Sequence, residues 1–190
     1  MKTFPERMLA IARIGQQEDG GISRVFGSEY YTEAAVKVLQ EMEALGLQAY
    51  IDPVNNVHGI LPGTDPQAGE VLVASHLDTV KEGGIYDGLL GIMAGLECVR
   101  RLREEAKSLP YTLHIIATNG EEGNELGGTF GSRWLMGMAP VDDPSYLELA
   151  MKYGYSEEKL RNSVYDTSKC IAYLELHIEQ GRTLEEEQIQ

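Results

Sequence analysis

Four short clusters of imidazoles and carboxylates punctuate this chain: His76-Leu77-Asp78-Thr79, Tyr86-Asp87-Gly88, Glu121-Glu122-Gly123 and His177-Ile178-Glu179-Gln180-Gly181. Imidazole nitrogens and carboxylate oxygens are the donors that hold one or two Zn²⁺-like ions. The chemistry such a set could perform is metal-dependent hydrolysis. His76 and Asp78 are two apart on an extended segment, so their side chains share a face. Asp78 can then accept the second N–H of His76 and fix its tautomer. Asp87 precedes a helix and reads either as a plain N-cap or as a ligand bridging two metals. Glu121 and Glu122 are adjacent carboxylates at a strand end, costly to bury unless paired or metal-bound. Their natural division is one ligand and one general base, which takes a proton from the attacking water and returns it to the leaving amine. His177 ends a strand. His58 and His114 have no acidic neighbour in phase, so His58 is expected at a loop or sheet edge and His114 in a structural core.

The elements that must position these groups follow from hydrophobic period and turn chemistry. Residues 3–14 read as a short helix. Thr32–Leu45 is an amphipathic helix, with Ala35, Val38, Leu39, Met42 and Leu45 on one face and Gly46 as its stop. Gln48–Asp52 and Val57–Leu61 are short strands around a Pro53-to-Asn56 turn. Glu70–His76, Tyr111–Thr118 and Cys170–His177 are further strands, the first two continuously apolar as in a sheet covered on both faces. Leu89–Arg103 is a helix between two of them, and three more helices are expected at 128–136, 145–153 and 157–164. The alternation gives an α/β fold, a three-layer sandwich with a largely parallel central sheet. In such sheets sites form at the carboxyl ends of strands, where His76, Glu121 and His177 all fall.

The chain has 190 residues and a formal net charge of −14. One domain is the natural unit at this length. The charge argues against nucleic acid or an anionic membrane as partner. The run Glu185-Glu186-Glu187 reads as a solvated face. Cys98 and Cys170 lie in no CxxC pattern and are expected to be packed thiols, as in a reducing compartment. The N-terminal stretch lacks a signal-peptide pattern and no apolar run is long enough to span a bilayer, so the expected location is cytoplasmic.

The segments GSEYYTEAA, SHLDTVKEGGIYDGLLGIMAGLE, TNGEEGNELGGTFGSRWLMG and YLELHIEQG resemble the zinc amidohydrolases of the M20 peptidase group. The closest branch is that of N-carbamoyl-L-amino acid hydrolases, β-ureidopropionases and allantoate amidohydrolases. The resemblance implies hydrolysis of a linear C–N amide or ureide bond in a small carboxylate-bearing substrate, with one or two Zn²⁺ ions, Mn²⁺ or Co²⁺ being alternatives. It implies that Asp87 bridges two metals, His76 and His177 complete the first site, and Glu122 serves the second. Glu121 is then the general base, Asp78 supports His76, and Gln180 contacts substrate. A cis Asp87–Gly88 peptide is also implied. Family chains run to about twice this length, with an inserted lid and dimerisation domain and a later histidine for the second metal. Residues 1–190 therefore resemble the N-terminal portion of the catalytic domain, without the lid. The alternatives are an M20 dipeptidase or aminoacylase, and a catalytically incomplete metal-binding fragment. Partners then include a homo-oligomer or a complementing C-terminal chain.

Overall fold

A computed structural model describes residues 3–189. Helix α1 (Phe4–Ala12) leads through a loop to α2 (Glu29–Ala44). Helix α2 begins three residues ahead of the expected Thr32 because the Ser28 hydroxyl accepts the Tyr31 N–H at 3.1 Å, capping an otherwise unpartnered donor. Strands β1 (Gln48–Ile51) and β2 (Val57–Leu61) form an antiparallel hairpin. The Asp52 carboxylate shapes its turn by accepting the Val54 and Asn56 N–H groups at 2.9 and 2.8 Å.

Strand β3 (Glu70–His76), helix α3 (Leu89–Glu104) and strand β4 (Thr112–Thr118) make a β-α-β unit whose strands are parallel neighbours. Strand β5 (Cys170–Leu174) adds to the other side of β3, also parallel. The order is β1-β2-β4-β3-β5. The parallel part is thus the central β4-β3-β5 unit, while β1 and β2 pair antiparallel on one flank.

Helices α1 to α3 cover one face, burying Ile11, Val38, Met42, Leu96 and Ile115 in the main core. The other face carries α4 (Phe130–Leu135), whose Leu135 packs on Leu72, Ala74 and Ile116. Beyond it α5 (Pro144–Lys152) and α6 (Glu157–Arg161) close a satellite core around Phe130, Trp134 and Leu160. These are the three expected layers.

Coverage fails at β5. Ile171, Tyr173 and Leu174 are 59, 56 and 56% exposed, so this edge strand lacks packing on both faces. A short helix, α7 (Thr183–Glu187), follows, where the family pattern would begin another strand. Its glutamates are exposed, as expected.

Two expectations need correction here. Cys98 is exposed rather than packed, because it lies on the side of α3 that faces the uncovered sheet beside Leu174 and Leu176. His58 is not at an edge: β2 is flanked by β1 and β4, and His58 is buried between them. Among the described residues, no helix is long and apolar enough to cross a membrane.

Candidate metal centre

His76 ends β3, and the loop after it carries Leu77 to Thr79 beneath Arg24. The Arg24 guanidinium is buried and donates to the Leu77 carbonyl at 2.7 Å and to that of Ile14 at 3.2 Å. Thr79 Oγ1 accepts the Arg24 N–H and donates to the Ile22 carbonyl. Burial lowers Arg24 to about 10, an effect opposed by Asp78. This buried cation ties the end of α1 to the loop that aims His76.

Asp87 lies just before α3. The N-cap position belongs to Gly88, and no side chain caps the helix. The capping role of Asp87 is therefore excluded, which leaves its carboxylate free to face the histidines. The described peptide bonds include no cis bond, so Asp87–Gly88 is trans. Gly88 makes the turn instead with φ of +63°, avoiding the roughly 3–4 kcal/mol of a non-proline cis bond. A Cβ there would collide with the His76 carbonyl and ring, so only glycine lets Asp87 approach.

His177 stands three residues beyond β5. The preceding Leu176 carbonyl passes so close to α3 that any side chain at Gly91 would strike it. That close crossing delivers His177 to His76. Their Nε2 atoms are 3.1 Å apart, and Asp87 Oδ1 lies 3.4 Å from one and 3.3 Å from the other. The three ligand atoms form the one His, Cys, Asp and Glu grouping among the described residues compact enough for a metal ion.

The hydrogen bonds behind the rings decide what this triangle wants. His76 Nδ1 faces the Asp78 carbonyl oxygen at 2.9 Å, and His177 Nδ1 faces that of Ile178 at 2.8 Å. A carbonyl oxygen only accepts, so both Nδ1 atoms carry a proton, and in the neutral rings the Nε2 atoms are the ones left to bind a metal. Both Nε2 lone pairs then converge on each other and on a carboxylate. Three acceptors at such separations repel unless a cation lies between them. Ligands about 2.0–2.1 Å from a tetrahedral ion sit about 3.3–3.4 Å apart, which matches the triangle. The donor set fits a divalent ion.

Asp78 departs from its expected part. Its carboxylate is 3.9 Å from His76 Nδ1, and its backbone carbonyl is what orients the ring. The carboxylate instead accepts the N–H groups of Glu121 and Glu122 at 3.1 and 3.0 Å. It thereby holds the second acidic cluster against the first. Burial pushes the Asp78 carboxyl up, offset by those N–H bonds and by His76.

Glu122 Oε1 is 3.8 Å from His76 Nε2, beside the triangle but outside it. Both oxygens of Glu121 are held by Ser132, from its N–H at 2.9 Å and its hydroxyl at 2.7 Å. Burial raises the Glu121 carboxyl, with the Ser132 bonds acting against it. Gln180 is exposed and directs its amide at both Asp87 oxygens, 3.4 and 3.5 Å away. The structure thus gathers all seven predicted residues at one crevice. The sequence reading missed Ser132, Arg24 and the two orienting carbonyls. Only Ser132 left a signal, a hydroxyl residue in the first turn of the helix after the glutamates.

The match to known proteins agrees with this crevice. The model of peptidase family M28 matches residues 56–153, just over half of the chain. The chain belongs to peptidase family M28. The motifs resembled the M20 group, and the branch they pointed to is the one in which the relatives fall. The chain is 34% identical to the N-carbamoyl-L-amino acid amidohydrolase of Geobacillus stearothermophilus, covering 95% of this chain and 46% of that one. It is also 34% identical to the allantoate amidohydrolase of Bacillus subtilis, covering 92% and 44%. A hydantoinase/carbamoylase family amidase from Burkholderia ambifaria superposes with a TM-score of 0.83 at 30% identity, over 97% of this chain and 47% of that structure. The chain spans about half the length of these relatives.

Proposed function

We propose that residues 1–190 are the N-terminal portion of the catalytic domain of a zinc-dependent amidohydrolase. Its reaction is hydrolysis of a linear C–N bond in an N-carbamoyl amino acid or allantoate-type substrate, a small carboxylate-bearing molecule. The observation that carries the metal is the triangle of His76 Nε2, Asp87 Oδ1 and His177 Nε2, with both Nδ1 atoms turned to backbone carbonyls. The names of the relatives support the substrate class. The two free cysteines support a reducing, cytoplasmic setting.

When bound, a divalent ion polarises a carbonyl and makes water a better nucleophile. His76, Asp87 and His177 would hold it, with Glu122 reaching toward a second ion. Glu121 would hold the proton taken from the attacking water and pass it to the leaving nitrogen. Ser132 keeps the Glu121 carboxylate aimed. Asp78 fixes the spacing between this base and the histidines. Gln180, on the rim, would meet the substrate.

The test is ammonia release from N-carbamoyl-L-amino acids and allantoate by the zinc-loaded chain. Release that disappears in Glu121→Gln is the expected result. Undiminished release in that variant would overturn the role of Glu121. Cleavage of dipeptides or N-acyl amino acids alone would overturn the substrate class. A second reading is favoured by the half-length match and the uncovered β5. In it, the chain binds metal but needs a complementing chain to turn over. Zinc binding without ammonia release would select it.

A further inference from the structure

The α4 face of the sheet carries a second row of ionisable side chains that the metal centre does not use. The row follows the strand order. Asp52 lies just past β1, His58 is on β2, His114 on β4, Glu70 on β3, and Tyr165 in the segment leading to β5. His58 Nε2 is 3.3 Å from Asp52 Oδ2. His58 Nδ1 is 2.9 Å from His114 Nε2, and His114 Nδ1 is 2.9 Å from Glu70 Oε1. Tyr165 donates to the other Glu70 oxygen and lies 3.3 Å from His114 Nδ1. Asp52, His58, Glu70 and His114 are all buried.

Counting protons decides the state of this row. The three contacts from Asp52 to Glu70 need one proton each. Two neutral imidazoles and two carboxylates supply only two. Asp52 also accepts two backbone N–H groups and the Asn56 amide, which hold it as a carboxylate. Glu70 accepts the Tyr165 hydroxyl on one oxygen and faces His114 Nδ1 with the other. His114 is a poor home for the extra proton, since burial and the neighbouring His58 lower it to about 3. His58 remains, flanked by Asp52 and lying under the Tyr50 ring, parallel to within 1° at 4.6 Å. That stacking suits a cation.

We propose that His58 is held as an imidazolium between the Asp52 carboxylate and the His114 lone pair. The row is then a buried one-proton site that ties β2, β4 and β3 to the turn after β1 and to the segment before β5. Loss of that proton would set two lone pairs against each other at the His58–His114 contact and open the row there. The other titratable groups near it are the tyrosines Tyr31 and Tyr155 toward Asp52, Tyr50 toward both Asp52 and Glu70, and Cys170 beside Tyr165. None of them offers a competing cation.

Ring ¹⁵N spectra of the whole 190-residue chain test this directly. At pH 7.5 both His58 nitrogens are expected to be protonated while His114 is neutral. Raising the pH should then move the His58 and His114 signals with one shared midpoint that His76 and His177 do not follow. His58→Gln, which can bond both neighbours but holds no charge, should abolish that midpoint. A neutral His58 at pH 7.5, a titration that leaves His114 unmoved, or a midpoint that survives His58→Gln would overturn the proposal.

Discussion

Two pairs of facing histidines sit in this chain, and they solve the same problem differently. His76 and His177 meet at 3.1 Å in a crevice, and His58 and His114 meet at 2.9 Å inside the sheet. Each pair is flanked by carboxylates. In the crevice, backbone carbonyls fix both rings so that their lone pairs converge with Asp87 on one point. In the buried pair, the partners Asp52 and Glu70 lie at opposite ends, so the groups form a line. A converging set lacks a cation at its centre, which a metal can supply. A linear set lacks a hydrogen, which a proton can supply. Geometry, rather than residue type, separates a metal centre from a hydrogen-bonded row.

The comparison breaks most visibly at the buried pair. His114→Leu removes the middle of the row and leaves Glu70 and His58 without their partner. It should cost about 3 kcal/mol in urea unfolding, the scale of a broken buried polar pair. Zinc binding should change little. A loss below about 0.5 kcal/mol would mean that the row does not hold the sheet.

Acid should act through the same residue. The unfolded chain protonates His114 near 6.5, and the folded chain refuses that proton until about 3. The unfolded state therefore binds more protons between these values, and stability falls as pH drops through this window. This contribution is fully present above 6.5. Unfolding midpoints measured from pH 7 to pH 4 should fall less steeply in His114→Leu than in the parent chain.

In the crevice, Gly88→Ala forces a side chain into φ of +63° and against His76. The strain should cost about 1–3 kcal/mol and weaken zinc binding at the same time. Stability loss with unchanged zinc affinity would separate the Asp87 turn from the site. The smallest effect belongs to Ser132→Ala. It removes one hydrogen bond to Glu121, worth about 1 kcal/mol, and should leave zinc affinity unaltered. A large loss of zinc would place Glu121 among the ligands instead.

Most of the frame was legible in the sequence because its apolar runs are long and periodic. The residues of β3 and the start of α3 fall where the pattern puts them. Ends set by capping were harder, as at Ser28, where one hydroxyl extends α2 by three residues. The crevice was legible because its four clusters are local in sequence and sit at or just past strand ends or, for Asp87, at the start of α3. The buried row was not. His58 has only apolar or polar uncharged neighbours in the chain, and its companion His114 is 56 residues away. Such partners meet only through strand order and register. The part played by the Asp78 carboxylate was misread for a related reason. Spacing showed that it could reach His76, but the N–H groups of Glu121 and Glu122 approach it from the loop after β4. Cys98 was misplaced because its helix is apolar nearly all round, and the pattern did not show which side lacked a neighbour.

The central claim is that His76, Asp87 and His177 together hold a divalent ion. Calorimetric titration of the metal-free chain with Zn²⁺, beside Asp87→Ala, tests it most directly. The parent should bind a well-defined equivalent, and the variant should bind about 100-fold more weakly or not at all, since even groups behind a ligand are worth 10- to 100-fold. Equal binding by both proteins would contradict the account.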